Sequence, residues 1–151
     1  TPLGKNVKCV ALAPPPLVAA DMVSQYRSFI DIYIFDEDTV PRLSYGGCVD
    51  TQTLQRYCAY LQENDPAMKE EELFKLLDEC RKAIKERATT VKLCHPGTVI
   101  MTGVINQKAV GIVCPNDAFN EVRVSTKMIL HHLPHWYGWA IAELARRSAG
   151  E

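Results

Sequence analysis

Phe29-Ile30-Asp31-Ile32-Tyr33-Ile34-Phe35 runs directly into Asp36-Glu37-Asp38-Thr39-Val40-Pro41-Arg42-Leu43-Ser44. The first part is rich in β-branched and aromatic side chains and predicts a strand. Three consecutive acids and a proline then end it, so its carboxyl end opens onto a loop. Ligand and catalytic groups of α/β proteins gather outside the carboxyl ends of strands. A carboxylate there can hold an imidazole in one tautomer and stabilise the imidazolium that forms during catalysis. On position alone, a solvated acidic loop is the more ordinary reading.

Toward the amino end, Val7 to Leu12 predicts a short buried strand stopped by Pro14, Pro15 and Pro16, and Val18 to Ser28 predicts a helix. Toward the carboxyl end, Thr51 to Gln62 has helical spacing with Leu54, Cys58 and Leu61 on one face. Asp65-Pro66 signals a helix start. That helix is expected to run to about Arg87, burying Leu73, Leu76, Leu77, Cys80 and Ile84, with a charged face that reads as solvated surface. Gly97 to Ile105 and Lys108 to Cys114 read as two strands joined by a turn at Asn106-Gln107. Pro115-Asn116-Asp117 is a turn, Val122 to Val124 a further short strand, and Ser125 the cap of a helical turn. Trp136 to Arg147 reads as the last helix. No repeat, linker or low-complexity tract divides the chain.

At 151 residues the chain is long enough to bury a real core, and 47% hydrophobic with 23% charged residues argues against disorder. With 17 basic and 18 acidic side chains the net charge is -1, and no basic field exists to neutralise phosphates, so nucleic acid is excluded as partner. No apolar run has the roughly 20 residues of a membrane span. Thr1 to Asn6 lacks the blocks of a signal peptide and an initiator Met, so the start is expected to be the interior of something longer. Cys9, Cys48, Cys58, Cys80, Cys94 and Cys114 form no C-x-x-C pair. They are expected to be buried free thiols of a reducing compartment, which favours a cytoplasmic location or the cytosolic face of a membrane.

His131-His132-Leu133-Pro134-His135-Trp136-Tyr137 gathers three of the 4 histidines. A metal site is one reading, but Pro134 interrupts any helix presenting His132 and His135 together, and no acid or cysteine nearby completes the set. A second is a general base on a loop just before the terminal helix. A third is a group of partly buried rings beside Trp136, Tyr137 and Trp139. An acid at a strand end followed far downstream by a loop histidine matches the Ser, Asp, His chain order of α/β-hydrolases. The serine is missing: no G-x-S-x-G occurs, and Ser24, Ser28, Ser44, Ser125 and Ser148 lie in no nucleophile elbow.

With these residues in view, the chain resembles the class 3 lipases, and most closely the sn-1-specific diacylglycerol lipase-like proteins. V-K-C-V-A-L-A-P-P-P (7–16) is similar to the strand and proline loop that follow the nucleophile helix of that family. F-I-D-I-Y-I-F-D-E-D-T-V-P-R-L-S (29–44) resembles the next strand and its D-x-V-P-R turn. C-H-P-G-T-V-I (94–100) and N-D-A-F-N-E-V-R-V-S-T-K-M-I-L-H-H-L-P (116–134) resemble the C-terminal part, and the segment from Asp50 to Ala88 resembles it least. The resemblance implies an α/β chain: residues 1–151 as the C-terminal part of one lipase domain, with a helical insertion and a β-hairpin and without the nucleophile-bearing half. It places the triad aspartate at Asp38 and the triad histidine at His132. It implies acylglycerol esters as substrate, no cofactor or metal, association with a membrane surface, and the missing N-terminal half as partner, from the same gene or a separate chain. The competing expectation is a non-catalytic lipase-like binding or regulatory module.

Overall fold

β2 (Ile30–Phe35) alternates its side chains across a sheet that also holds β1 (Cys9–Leu12), β3 (Thr98–Ile105) and β4 (Lys108–Cys114). The computed structural model describes residues 7–87 and 91–150. The strand order is β1-β2-β3-β4; β1 and β3 run parallel to β2, and β4 runs antiparallel to β3. Strands mixed with helices in this way make the chain α/β. Ile32 and Ile34 point to one face and pack with Val99 and Phe119. Phe35 points to the other, where Tyr137 and Ala140 of α3 (Pro134–Ser148) and Ala109 of β4 cover it. A strand flanked on both edges and covered on both faces can be apolar along its whole length, which is why this segment carries so little polarity. Each such side chain contributes about 1.5–3 kcal/mol when fully buried.

The connections show equally local causes. Asn106 and Gln107 both take the left-handed conformation (φ 50° and 62°), the pair of signs a two-residue hairpin requires. Gly97 enters β3 at φ 80°, where a Cβ would collide with the Ile30 carbonyl. Leu17 and Val18 donate to the Cys94 carbonyl, and Cys94 donates back to Val18. That bridge occupies the backbone at the start of the predicted 18–28 helix, which shrinks to a 3-10 turn over Ala20–Gln25. No strand forms at Val122 to Val124; the chain there is irregular as it approaches Ser125, whose hydroxyl donates to Glu37.

The described residues divide into two compact units, one within 1–44 and 93–151 and the other within 45–92, although no linker marks the boundaries. The second consists of α1 (Tyr45–Asn64) and α2 (Glu70–Arg87). α2 begins later than Asp65-Pro66 suggests because Asp65 caps a turn, its Oδ1 accepting the Ala67 amide and its carbonyl the Met68 amide. Glu70, Glu71 and Glu72 in the first turn and Lys85 and Arg87 in the last complement the helix dipole. Leu73, Leu76, Leu77, Cys80 and Ile84 are only half-buried, contrary to the expectation, since two helices alone cannot enclose a side chain on every side.

All six cysteines are free, but only Cys94 is buried; Cys9 and Cys48 are exposed, which corrects the expectation of buried thiols. Cys9 lies on β1, whose outer edge has no neighbouring strand among the described residues, and Val10 and Leu12 are exposed beside it. No described helix is long and apolar enough to cross a membrane.

Candidate active site

At the carboxyl end of β2 the chain turns sharply. Asp36 takes a left-handed conformation (φ 40°), one that aspartate tolerates better than most residues, and the Asp38 amide closes the turn on the Phe35 carbonyl at 2.9 Å. Val40–Arg42 then forms a 3-10 turn with Pro41 inside it. The effect is to direct the Asp38 side chain inward, where it is 0% exposed. One carboxylate oxygen accepts the Val40 amide at 2.9 Å. The other accepts two donors, the Tyr137 hydroxyl at 2.5 Å and the His132 ring at 3.1 Å.

His132 comes from the segment that leads into α3. Leu130–His132 is a single 3-10 turn, Leu133 is extended, and Pro134 starts α3 at the position where a missing N–H costs nothing. His132 Nδ1 faces Asp38 Oδ2, and the side chain is 45% exposed against 0% for its partner. A carboxylate only accepts, so Nδ1 carries a proton, and in the neutral ring Nε2 keeps its lone pair on the far side. An oriented imidazole with one nitrogen tied to a buried acid and the other free is the arrangement of a general base.

The neighbouring pair behaves differently. His131 is buried against Phe35 and Trp136, edge to face with each. Its Nδ1 lies 3.3 Å from the Glu37 amide and 3.7 Å from Asp36 Oδ2. An amide can only donate, so Nδ1 accepts it, and the Asp36 approach is a contact rather than an ion pair while the ring is neutral. Glu37 accepts the Ser125 hydroxyl at 2.8 Å. His135 is exposed and packs on Trp136, at 5.1 Å between rings. Among the described residues no group of His, Cys, Asp or Glu is arranged to hold a metal ion.

Beneath the turn, buried His95 donates Nε2–H to the Pro41 carbonyl at 2.8 Å. Burial pushes its pKa below the usual histidine value, which suits a neutral ring. Asn116 clamps the same segment, donating to the carbonyls of His95 and Gly97 at 2.7 Å each. Arg42, buried, lies 4.8 Å over the Phe119 ring, and burial together with Arg123 lowers its pKa while Asp38 and Asp36 oppose the shift. The D-x-V-P-R, C-H-P-G and A-F-N segments thus meet as one support for Asp38.

Asp38 and His132 are therefore brought together, while Asp36, Glu37, His131 and His135 take separate partners. Trp136 stacks on Phe35 at 5.4 Å, an ordinary core role, whereas Trp139 and Leu17 are exposed. A groove of ≈ 370 Å³ lined by Tyr57, Leu76 and Arg87 lies wholly in the 45–92 unit and holds none of the candidate residues. Neither Tyr137 nor His95 was assigned a site role from the sequence. A tyrosine set among the apolar positions of a terminal helix, whose hydroxyl needs a buried partner, was the available signal for the first. No protein-family model, curated protein or solved structure matches this chain.

Proposed function

We propose that this chain contributes the general base His132 and its orienting carboxylate Asp38 to a serine-dependent lipase that hydrolyses acylglycerol esters. The nucleophilic serine is supplied by residues outside it. The observation that carries the reading is the pairing of a half-exposed imidazole with a fully buried carboxylate at 3.1 Å, at the end of a parallel strand. The likeness of D-x-V-P-R and H-L-P to class 3 lipases supplies the substrate class. On this reading the sheet is the C-terminal half of an α/β-hydrolase fold. The free edge of β1, with Val10 and Leu12 exposed, takes the nucleophile-bearing half. The ester is met at a membrane surface on the cytosolic side, in keeping with six free cysteines.

In the reaction, His132 Nε2 takes the proton of the serine hydroxyl as the oxygen attacks the ester carbonyl. Asp38 accepts Nδ1–H throughout and stabilises the imidazolium. The imidazolium then protonates the departing alcohol, and the neutral ring activates water to release the fatty acid. The test is a serine-directed phosphonate probe on the intact protein or complex carrying these residues. Labelling is expected at a serine outside residues 1–151, with loss of labelling in His132→Ala. Labelling of a serine within 1–151, or labelling and esterase activity that survive His132→Ala, overturns the reading. An intact protein with neither labelling nor activity is the non-catalytic module.

A further inference from the structure

We propose that Tyr137 is a positioning residue of this site: its hydroxyl, held by the end of β2, locks the Asp38 carboxylate in the orientation that meets His132. The inference rests on the proposed function for calling the site catalytic, but not for its geometry. β1 pairs with β2 as far as Leu12 opposite Tyr33, and Ala13 donates once more to the Tyr33 carbonyl. At Ala13 the backbone becomes left-handed (φ 49°) and the proline run follows, so β1 offers the Phe35 amide no acceptor. Tyr137 takes its place, accepting the Phe35 N–H at 2.9 Å. Because that amide only donates, the hydroxyl must spend its own proton on Asp38 Oδ2, at 2.5 Å. The direction of both bonds is thereby set without ambiguity. Burial and the Asp38 carboxylate push the hydroxyl pKa far above the usual tyrosine range, so the proton stays in place.

The same side chain ties three parts of the site. It sits on α3, which the His132 turn feeds; it bonds the last residue of β2; and it shares one carboxylate oxygen with His132. The other charged or titratable groups around Asp38 are Arg42, Asp36 and Glu37 from its own loop, with His131 beside Asp36. None of these donates a hydrogen bond to Oδ2 in the way Tyr137 does. A packing role alone would be filled by phenylalanine.

Y137F in the intact protein tests this. The kcat is expected to fall about 10- to 100-fold with KM nearly unchanged, as the acid loses its orientation. Withdrawing a donor leaves more of the carboxylate charge acting on His132 and favours its imidazolium, so the acidic limb of kcat/KM moves to higher pH. Leu144→Ala, in the same core but away from the hydroxyl, is the packing control and should leave that limb in place. If Y137F does not fold, 3-fluorotyrosine at position 137 keeps the ring and strengthens the donor, and the limb should move to lower pH. An unmoved limb with wild-type kcat in Y137F, or the same shift in Leu144→Ala, overturns the proposal. Should the wild type prove inactive, the hydrolase reading fails separately. The His132 ring NMR titration then decides: movement between wild type and Y137F supports the positioning role, and identical curves overturn it.

Discussion

Two contacts between an acid and a basic side chain, one in each unit, look similar on distance alone. In the 45–92 unit Asp78 lies 2.7 Å from Lys82; in the sheet unit Asp38 lies 3.1 Å from His132. The shorter pair is the weaker constraint. Asp78 and Lys82 stand in water on a helix surface with side chains 43% and 66% exposed, where charges are screened and side-chain freedom is lost on pairing. Asp38 has no exposed surface and three hydrogen-bond donors, so only one arrangement satisfies it. The apolar surroundings differ accordingly. Ile32, Ile34 and Phe35 are fully buried around β2, whereas α2 has no buried residue. A preorganised polar site requires a dry frame, and only the sheet unit builds one.

The largest effect that could break this contrast is on activity. Asp38→Asn in the intact protein should fold and lose on the order of 10⁴-fold in kcat, because the amide stabilises the wrong tautomer. Asp78→Asn should leave kcat as it is. A loss below about tenfold for Asp38→Asn would remove the distinction between the two acids.

Stability comes next. Phe35→Ala opens a cavity under α3 and should cost about 3–5 kcal/mol in urea unfolding followed by Trp136 and Trp139 fluorescence. Leu76→Ala on half-buried α2 should cost roughly 1 kcal/mol, seen as faster hydrogen exchange in 45–92. Equal costs would mean that α2 is covered by something in solution.

A smaller effect is acid sensitivity. The His95 pKa is lowered from 6.5 on folding, chiefly by burial, so the unfolded chain binds the proton more readily. Its contribution is complete above pH 6.5 and is lost as pH falls from there toward the folded value. Hydrogen exchange in the sheet unit should therefore quicken over that range, and His95→Gln should flatten the response. The smallest effect belongs to Asp78, lowered from 3.8 by its hydrogen bonds to Lys82 and Arg81. Its slight support of α2 is present above pH 3.8 and fades as pH falls through the folded value. Circular dichroism of wild type and Asp78→Asn followed downward from above pH 3.8 reads it: the difference between them should vanish as pH falls.

Much of the frame could be read locally. The 29–35 strand, the two strands around Asn106-Gln107 and the terminal helix all appear within a few residues of their expected limits, because periodicity and turn chemistry act over short distances. The failures have tertiary causes. The 18–28 helix shrank to a 3-10 turn beside the bridge of Val18 with Cys94, a residue far along the chain. The cysteines on β1 and α1 were expected inside because an apolar neighbourhood in sequence does not show whether a second layer covers it.

The candidate site divides in the same way. Short-range pattern was enough to mark 36–38 and 131–135 as places where polar chemistry follows an apolar element, since composition changes there abruptly. Within those clusters the residues alone left the choice open, and Asp38 and His132 were singled out only through the family resemblance. In the folded chain the left-handed turn at Asp36 sends one carboxylate inward, and the 3-10 turn before Pro134 presents one imidazole to it. Tyr137 at the acid and His95 beneath the turn belong to the folded state alone, because each partner lies tens of residues away and backbone path, not local propensity, decides which groups meet.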